Sequence, residues 1–312
     1  MPLLSVFSAP KPFTNPHIAM IQQNAIESWR QLGPEVEVML VGEEAGMADA
    51  AERLGVKLLP DVRRNAQSTP LVSSIFELAR HASSSPFLAY VNADILLLPD
   101  FVEVTRQVAS QLRQFLLVGQ RWDLDISSPI DFSEGWQARL QESIRASGKL
   151  HPLGGSDYFI FPRACFESIP DFAIGRAGWD NWMIYEARRN NWRVVDATQS
   201  IHLVHQSHDY SHLPNGQPHY RLPETFENVR LAGGPRTILN LRDCDARCEH
   251  GKVRTPRLSW QKFWREVELF PLVRLHSYRL AQLAYSLFHP IKAYREYRAG
   301  LHKRENPENN FV

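Results

Sequence analysis

Cysteine is scarce in this 312-residue sequence: Cys165, Cys244 and Cys248 are the only three. Three thiols cannot build a disulfide framework, which excludes the small cross-linked secreted class and suits a reducing, cytoplasmic setting. Net charge is lacking too. Lys+Arg 35 against Asp+Glu 34 leave +1 at pH 7, so no global field argues for nucleic acid as a partner. No apolar run approaches the roughly 20 residues of a membrane-spanning helix. The opening MPLLSVFSAPKPF has no basic segment followed by a long apolar core, so a cleaved leader is not expected. No internal repeat is found.

What is present is 44% hydrophobic content, enough for one large domain or two smaller ones. The charge is unevenly spread. Residues 252–304 carry 12 Lys/Arg and 3 Asp/Glu, a local +9 that leaves the rest of the chain at −8. The same stretch holds Trp260, Phe263, Trp264, Phe270, Tyr285, Phe288, Tyr294 and Tyr297. Basic amphipathic helices with aromatics suit an anionic membrane surface, and equally a helical appendage packed on protein.

Through the first half, strand-like runs alternate with helical patterns. Strands are expected at 3–8, 36–41, 56–60, 87–98 and 115–119. Helices are expected at 16–32, with Asn15 as cap and Pro16 at the first turn, and at 47–54, 70–81 and 100–114. Farther on, helices at 133–148 and 179–189 and strands at 158–161, 192–197 and 200–205 are expected. Residues 206–234 read as loop, the chain after Pro256 as basic helix, and 305–312 as a disordered tail. Repeated strand-helix units predict an α/β fold with a mostly parallel sheet flanked by helices. Such sheets bind ligands beyond the carboxyl ends of their strands.

One such end carries the most informative stretch, LAYVNADILLL, in which Asn92 and Asp94 interrupt an apolar run. Burying a charge without a partner is expensive. Two oxygen-bearing side chains two positions apart suit a hard divalent cation, Mn²⁺ or Mg²⁺; a strand-end Asp capping the helix near Pro99 is the plainer alternative. A second constellation is GRAGWDNW, where Asp180 stands in the first turn of a helix. A third is IHLVHQSHDYSH, with His205 at a strand end, His208 just beyond it, and His202 expected to point away from His205. Gly154-Gly155-Ser156-Asp157 would let backbone approach a ligand closely. Cys244 and Cys248 with His250 lack a fourth ligand and the usual spacing for structural zinc.

The arrangement resembles the DXD region of GT-A fold nucleotide-sugar glycosyltransferases, especially glycosyltransferase family two, over roughly residues 3–206. The departure is Asn92 in place of the first Asp. The resemblance implies a GT-A, Rossmann-like catalytic domain over 1–240 and a basic, aromatic helical extension over 241–312. It implies that Asp94, with Asn92 and either His205 or His208, holds Mn²⁺ or Mg²⁺ against a donor diphosphate. It implies that Asp180 is the base of an inverting transfer, where an Asp merely favouring the helix dipole is the alternative. Ser8 and Ala9 after the first strand, and Arg63 and Arg64 after the third, fall where the family binds nucleotide; surface arginines are the alternative. Gly154, Gly155, Ser156, Asp157, Trp179 and Asn181 fall where it binds sugars, Trp179 as an apolar platform or as helix packing. The implied partners are a nucleotide-diphosphate sugar, a UDP-sugar first among them, and a carbohydrate or lipid-linked acceptor. Peripheral membrane contact would run through the C-terminal helices.

Other classes compete. A sugar-1-phosphate nucleotidyltransferase would need a Gly-rich, basic phosphate loop after the first strand, and SAPKPFTNP has no glycine. A non-catalytic nucleotide-sugar-binding protein shares every binding feature. A hydrolase built on the histidines is the most distant.

Overall fold

The computed structural model describes residues 1–207 and 222–305. The chain divides into two compact units, Met1–Pro256 and Arg257–Val312.

The first unit holds thirteen strands and seven helices among the described residues. In chain order they are β1 (Leu4–Ser8), α1 (Pro16–Arg30), β2 (Val36–Val41), α2 (Met47–Leu54), β3 (Lys57–Leu59), α3 (Val72–Ala82), β4 (Phe87–Val91), β5 (Ile95–Leu96), α4 (Asp100–Ala109), β6 (Phe115–Val118), β7 (Trp122–Leu124), α5 (Trp136–Ser147), β8 (Lys149–Leu150), β9 (Tyr158–Pro162), α6 (Trp179–Arg189), β10 (Arg193–Asp196), β11 (Val204–Gln206), α7 (Pro223–Leu231), β12 (Ala246–Glu249) and β13 (Lys252–Arg254). Nine strands form one sheet in the order β13-β12-β10-β6-β9-β4-β1-β2-β3. Its β3-β2-β1-β4 and β6-β10-β12 runs are parallel; β9 enters antiparallel between β4 and β6, and β13 is an antiparallel edge. The expected mostly parallel α/β sheet is the one observed.

Central strands buried on both faces read as continuous apolar runs, which is why β1, β6 and β9 were legible. The α1 helix starts where expected: the Asn15 side chain accepts from the His17 and Ile18 N–H groups, with Pro16 in the first turn. It buries Ile18, Ile21, Ala25, Ile26 and Trp29 at helical spacing.

Three expectations change. The run 87–98 is not one strand. The chain leaves the large sheet after Val91, turns at Asn92-Ala93-Asp94, and β5 joins a second, four-stranded sheet in the order β5-β11-β7-β8. Strand 200–205 is shorter and later, at Val204–Gln206, and α7 lies within the stretch read as loop. The large sheet continues past the boundary expected at 240/241, since β12 pairs with β10 and β13 forms its edge, and the compact units divide at 256/257.

The second unit holds α8 (Trp260–Val273), α9 (Tyr278–Phe288) and α10 (Pro290–Glu305). Ser259 and Ser277 cap the first two, and α9 packs against both neighbours. Trp260, Phe263, Trp264, Phe270, Leu283 and Leu287 stay exposed. Among the described residues no helix is long and apolar enough to cross a membrane. Residues 306–312 of the expected tail lie outside the described residues.

Candidate active site

The turn at Asn92-Ala93-Asp94 carries two side chains in different directions, and α1 determines where the second one goes. Trp29 Nε1 donates to the Ile95 carbonyl at 2.8 Å, and Ser28 Oγ accepts from the Leu97 N–H at 3.0 Å. Asn24 and Gln206 form a buried pair: Asn24 Nδ2 donates to Gln206 Oε1 at 3.0 Å, and Gln206 donates to the Ile21 carbonyl at 2.7 Å. The Gln206 N–H then donates to the Asp94 carbonyl at 3.1 Å. One helix therefore binds both the segment after Asp94 and the end of β11, and brings His205 to Asp94. The Asp94 Oδ2 to His205 Nε2 distance is 3.7 Å.

Beyond His205 the small sheet continues the row. His205 Nδ1 lies 3.1 Å from Asp123 Oδ1 on β7. Asp123 Oδ2 lies 2.8 Å from His151 Nδ1, just past β8. Arg121 joins this row to the large sheet, donating from Nε to Asp123 at 2.9 Å and from one terminal nitrogen to both Asp157 oxygens at 2.6 Å. Burial pushes the Asp123 carboxyl up, but hydrogen bonds from His151 and Arg121 outweigh it and hold it below the ordinary value. Burial likewise lowers the Arg121 guanidinium, and the two carboxylates more than restore it.

Asn92 points to the other side. Its Nδ2 donates to Asp157 Oδ1 at 2.8 Å, and its N–H to the Asp157 carbonyl at 2.9 Å. The expected roles of these two residues thus meet a different geometry: Asp157 is held by Arg121 and Asn92, and Asn92 spends its amide donor on Asp157. Ser156 is buried, bonded to the Gly119 and Tyr158 carbonyls, and so anchors the loop.

The preceding loop residue, Gly155, lies against Asp180. A Cβ on Gly155 would lie 3.1 Å from Asp180 Oδ2, so the bare glycine backbone sits against that carboxylate. Gly178, at φ +109°, opens α6 in a conformation side chains disfavour, and its N–H donates to Asp180 Oδ1 at 3.2 Å. Asn181 clips the loop from the helix, donating to the Gly154 carbonyl at 3.0 Å. Burial pushes the Asp180 carboxyl up to about 6 against the pull of the Asn181 and Gly178 N–H groups, and Asp157 adds to the push. The Tyr90 hydroxyl is raised by burial first, then by Asp94, Asp157 and Asp180 together. All three carboxylates therefore act on one buried tyrosine at the end of β4.

The remaining expected residues separate. Trp179 is 5% exposed, with its ring among Tyr90, Phe159 and Phe76, and offers no open face to a sugar. Arg63 faces Glu77 and Asp171 on the surface. Arg64 pairs with Glu44, just past β2, at 2.8 Å. Ser8 is buried at the carboxyl end of β1, with Ala9 following it. His202 turns to Asp100, 2.7 Å away, and not toward His205. His208 lies outside the described residues.

Sequence reasoning missed Lys11, Arg121, Asp123 and His151. Lys11 had a signal, since it lies in the loop after the first strand. Gln22 grips its backbone on both sides, accepting from its N–H at 2.7 Å and donating to its carbonyl at 3.0 Å. Burial lowers the Lys11 ammonium, and Asp94 opposes the shift. The other three come from two- and three-residue strands and their ends, which carry no periodicity.

The donor chemistry at Asp94 fits a hard divalent cation. A carboxylate oxygen and an imidazole nitrogen 3.7 Å apart can both reach one ion about 2.1 Å from each. Among the described residues no three His, Cys, Asp or Glu side chains converge as a complete metal cage. Among the described residues Asp94 and His205 are two such donors, and Mg²⁺-type ions keep water and substrate phosphate as further ligands.

No protein-family model matches this sequence, and no curated protein matches it. Among solved structures the chain is similar to M. tuberculosis glucosyl-3-phosphoglycerate synthase, at 17% identity over 75% of this chain and 82% of that one, with a TM-score of 0.46. It is also similar to the mannosyltransferase PcManGT from Pyrobaculum calidifontis, solved with GDP-Man and Mn²⁺, at 13% identity over 67% and 58% and a TM-score of 0.44. Residues 1–349 of S. aureus TarS, solved with UDP-GlcNAc, are similar at 14% identity over 74% and 65%, with a TM-score of 0.46. Likenesses this remote assign no role to any residue.

Proposed function

We propose that this protein is a nucleotide-sugar glycosyltransferase that transfers a sugar from a nucleoside diphosphate to an acceptor hydroxyl with inversion. One observation carries the reading. Asp94, paired with His205 as donors suited to a hard cation, and Asp180, a separate carboxylate pushed up by burial, both add to the burial that raises the Tyr90 hydroxyl at the end of β4. Pairs of acidic groups whose environments drive them to different tasks mark sites of proton transfer.

In this reading Asp94 and His205 bind Mn²⁺ or Mg²⁺, which when present supplies positive charge to a departing diphosphate. Lys11 adds a second positive group on the same side. Asp180, ionised above about pH 6, takes the proton of the acceptor hydroxyl as that oxygen bonds to the anomeric carbon. The anomeric C–O bond to the diphosphate breaks on the opposite face, and its electron pair leaves with the nucleoside diphosphate. A single displacement of this kind inverts the anomeric centre. The lack of a Cβ at Gly155 leaves the Asp180 carboxylate in place, while Arg121 and Asn92 keep Asp157 from competing for that proton.

The test is a panel of nucleotide sugars, UDP-sugars first, titrated with and without Mn²⁺. Metal-dependent binding with slow donor hydrolysis supports the transferase. Binding with no turnover over a broad acceptor set favours a non-catalytic binding protein.

The second unit supports an acceptor presented at a lipid surface. Trp260 is 73% exposed and Leu287 72%. Exposed Arg274, Arg279, Lys292 and Arg295 accompany them. Apolar area of this kind with basic flanks suits the interface of an anionic bilayer.

A further inference from the structure

We propose that Asp123 is the positioning residue that fixes the His205 ring for a divalent cation, directing Nε2 toward Asp94. The inference rests on the reading of Asp94 and His205 as the protein donors to that ion. Its geometry comes from the small sheet. β11 and β7 run parallel with His205 directly opposite Asp123, so the two side chains share a face by register. His205 Nδ1 lies 3.1 Å from Asp123 Oδ1, and Nε2 lies 3.7 Å from Asp94 Oδ2.

A carboxylate only accepts hydrogen bonds. The 3.1 Å approach is off the line of a full hydrogen bond. A lone pair that close to a carboxylate oxygen would nevertheless be repelled, so the proton belongs on Nδ1 and the Nε2 lone pair is left for a metal. Asp123 is itself immobilised by Arg121 Nε at 2.9 Å and by His151 at 2.8 Å. Arg121 is in turn held by Asp157 at 2.6 Å. The result is a row, Asp94, His205, Asp123, His151, in which one carboxylate sets two rings. The competing account is that Asp123 only neutralises Arg121. That account leaves the proton on either His205 nitrogen and leaves cation affinity unchanged when Asp123 is replaced.

The experiment uses the full chain with ¹⁵N-labelled histidine, recorded over a pH series from which the spectrum of the singly protonated His205 ring is read. His205→Gln assigns the resonance. Wild type is expected to show the Nδ1–H form of His205, and Asp123→Ala to lose it. Mn²⁺ titration followed by electron paramagnetic resonance, with Mn²⁺ alone and with UDP, is expected to show affinity about 10- to 100-fold weaker in Asp123→Ala. Asp123→Asn, which keeps one acceptor oxygen, should fall between the two. A wild-type His205 protonated on Nε2 overturns the inference, as does an Asp123→Ala protein that binds Mn²⁺ like wild type. If Asp123→Ala does not fold, the wild-type tautomer and the Asp123→Asn titration decide. Wild type that binds no Mn²⁺ removes the cation reading and this inference with it. Wild type that binds while both Asp123 variants bind equally removes the positioning role alone.

Discussion

Gly155 lies against Asp180: a Cβ on the glycine would stand 3.1 Å from Asp180 Oδ2. That is closer than side-chain carbons normally tolerate, so the carboxylate must yield by a few tenths of an ångström if one is added. Gly155→Ala is expected to lower kcat about tenfold or more, because small misplacements of a reacting group are costly. Donor affinity and melting temperature should hardly change. Steady-state kinetics beside a binding titration check this, and a variant with unchanged kcat counts against Asp180 as the base.

Asp180→Asn should bind donor normally and lose transfer. In wild type the rate should rise through about pH 6 as Asp180 ionises, and then level. The stability effect has the opposite sense. A carboxyl raised in the folded state holds its proton more tightly there than in the unfolded chain. It therefore costs stability above about pH 6, and the cost fades as pH falls toward the unfolded value near 4. The cost at neutral pH is at most about 3 kcal/mol, so Asp180→Asn should melt higher than wild type at pH ~7. Paired melting curves at acid and neutral pH test the sign.

Asp94→Ala is expected to abolish the metal-dependent part of donor binding, and His205→Ala to weaken it at least tenfold. Calorimetry with UDP, with Mn²⁺ and with a chelator, measures both. Normal metal-dependent binding by the Asp94 variant would remove the site assignment.

Trp179→Ala should destabilise the fold by about 3–5 kcal/mol, the usual cost of emptying a large aromatic site. Its ring is surrounded by Tyr90, Phe159 and Phe76. Trp179→Phe should restore much of the stability with donor affinity intact. Denaturant melts and a binding titration separate this from a sugar-platform role, in which affinity would fall with little loss of stability.

Vesicles containing phosphatidylserine should co-sediment with the full chain and release it as salt rises. The double variant Trp260→Ala, Trp264→Ala should bind about tenfold less, since each aromatic ring removes apolar area from the interface. Equal binding to neutral and anionic vesicles would argue against the basic flanks having this role.

The sequence by itself determined the α/β class and most of the large sheet. Runs such as FLAYV and YFIFP can be satisfied only between two covered faces, and α1 shows its apolar stripe and its Asn15-Pro16 start openly. It also marked Asp94 and Gly155, because a carboxylate inside an apolar run and a glycine pair before a strand are local signals, whereas Asp180 and His205 were singled out through the family resemblance. Tertiary structure decided which of the marked residues meet. Trp179, Ser156 and Asn181 become packing and anchoring groups, whereas Arg121, Asp123 and His151 enter the site unannounced. The physical reason is separation along the chain. The Asp94–His205–Asp123–His151 row is assembled by strands of two or three residues, too short to show a period. Their register depends on α1 holding Ile95, Leu97 and Gln206 from more than sixty residues away in sequence.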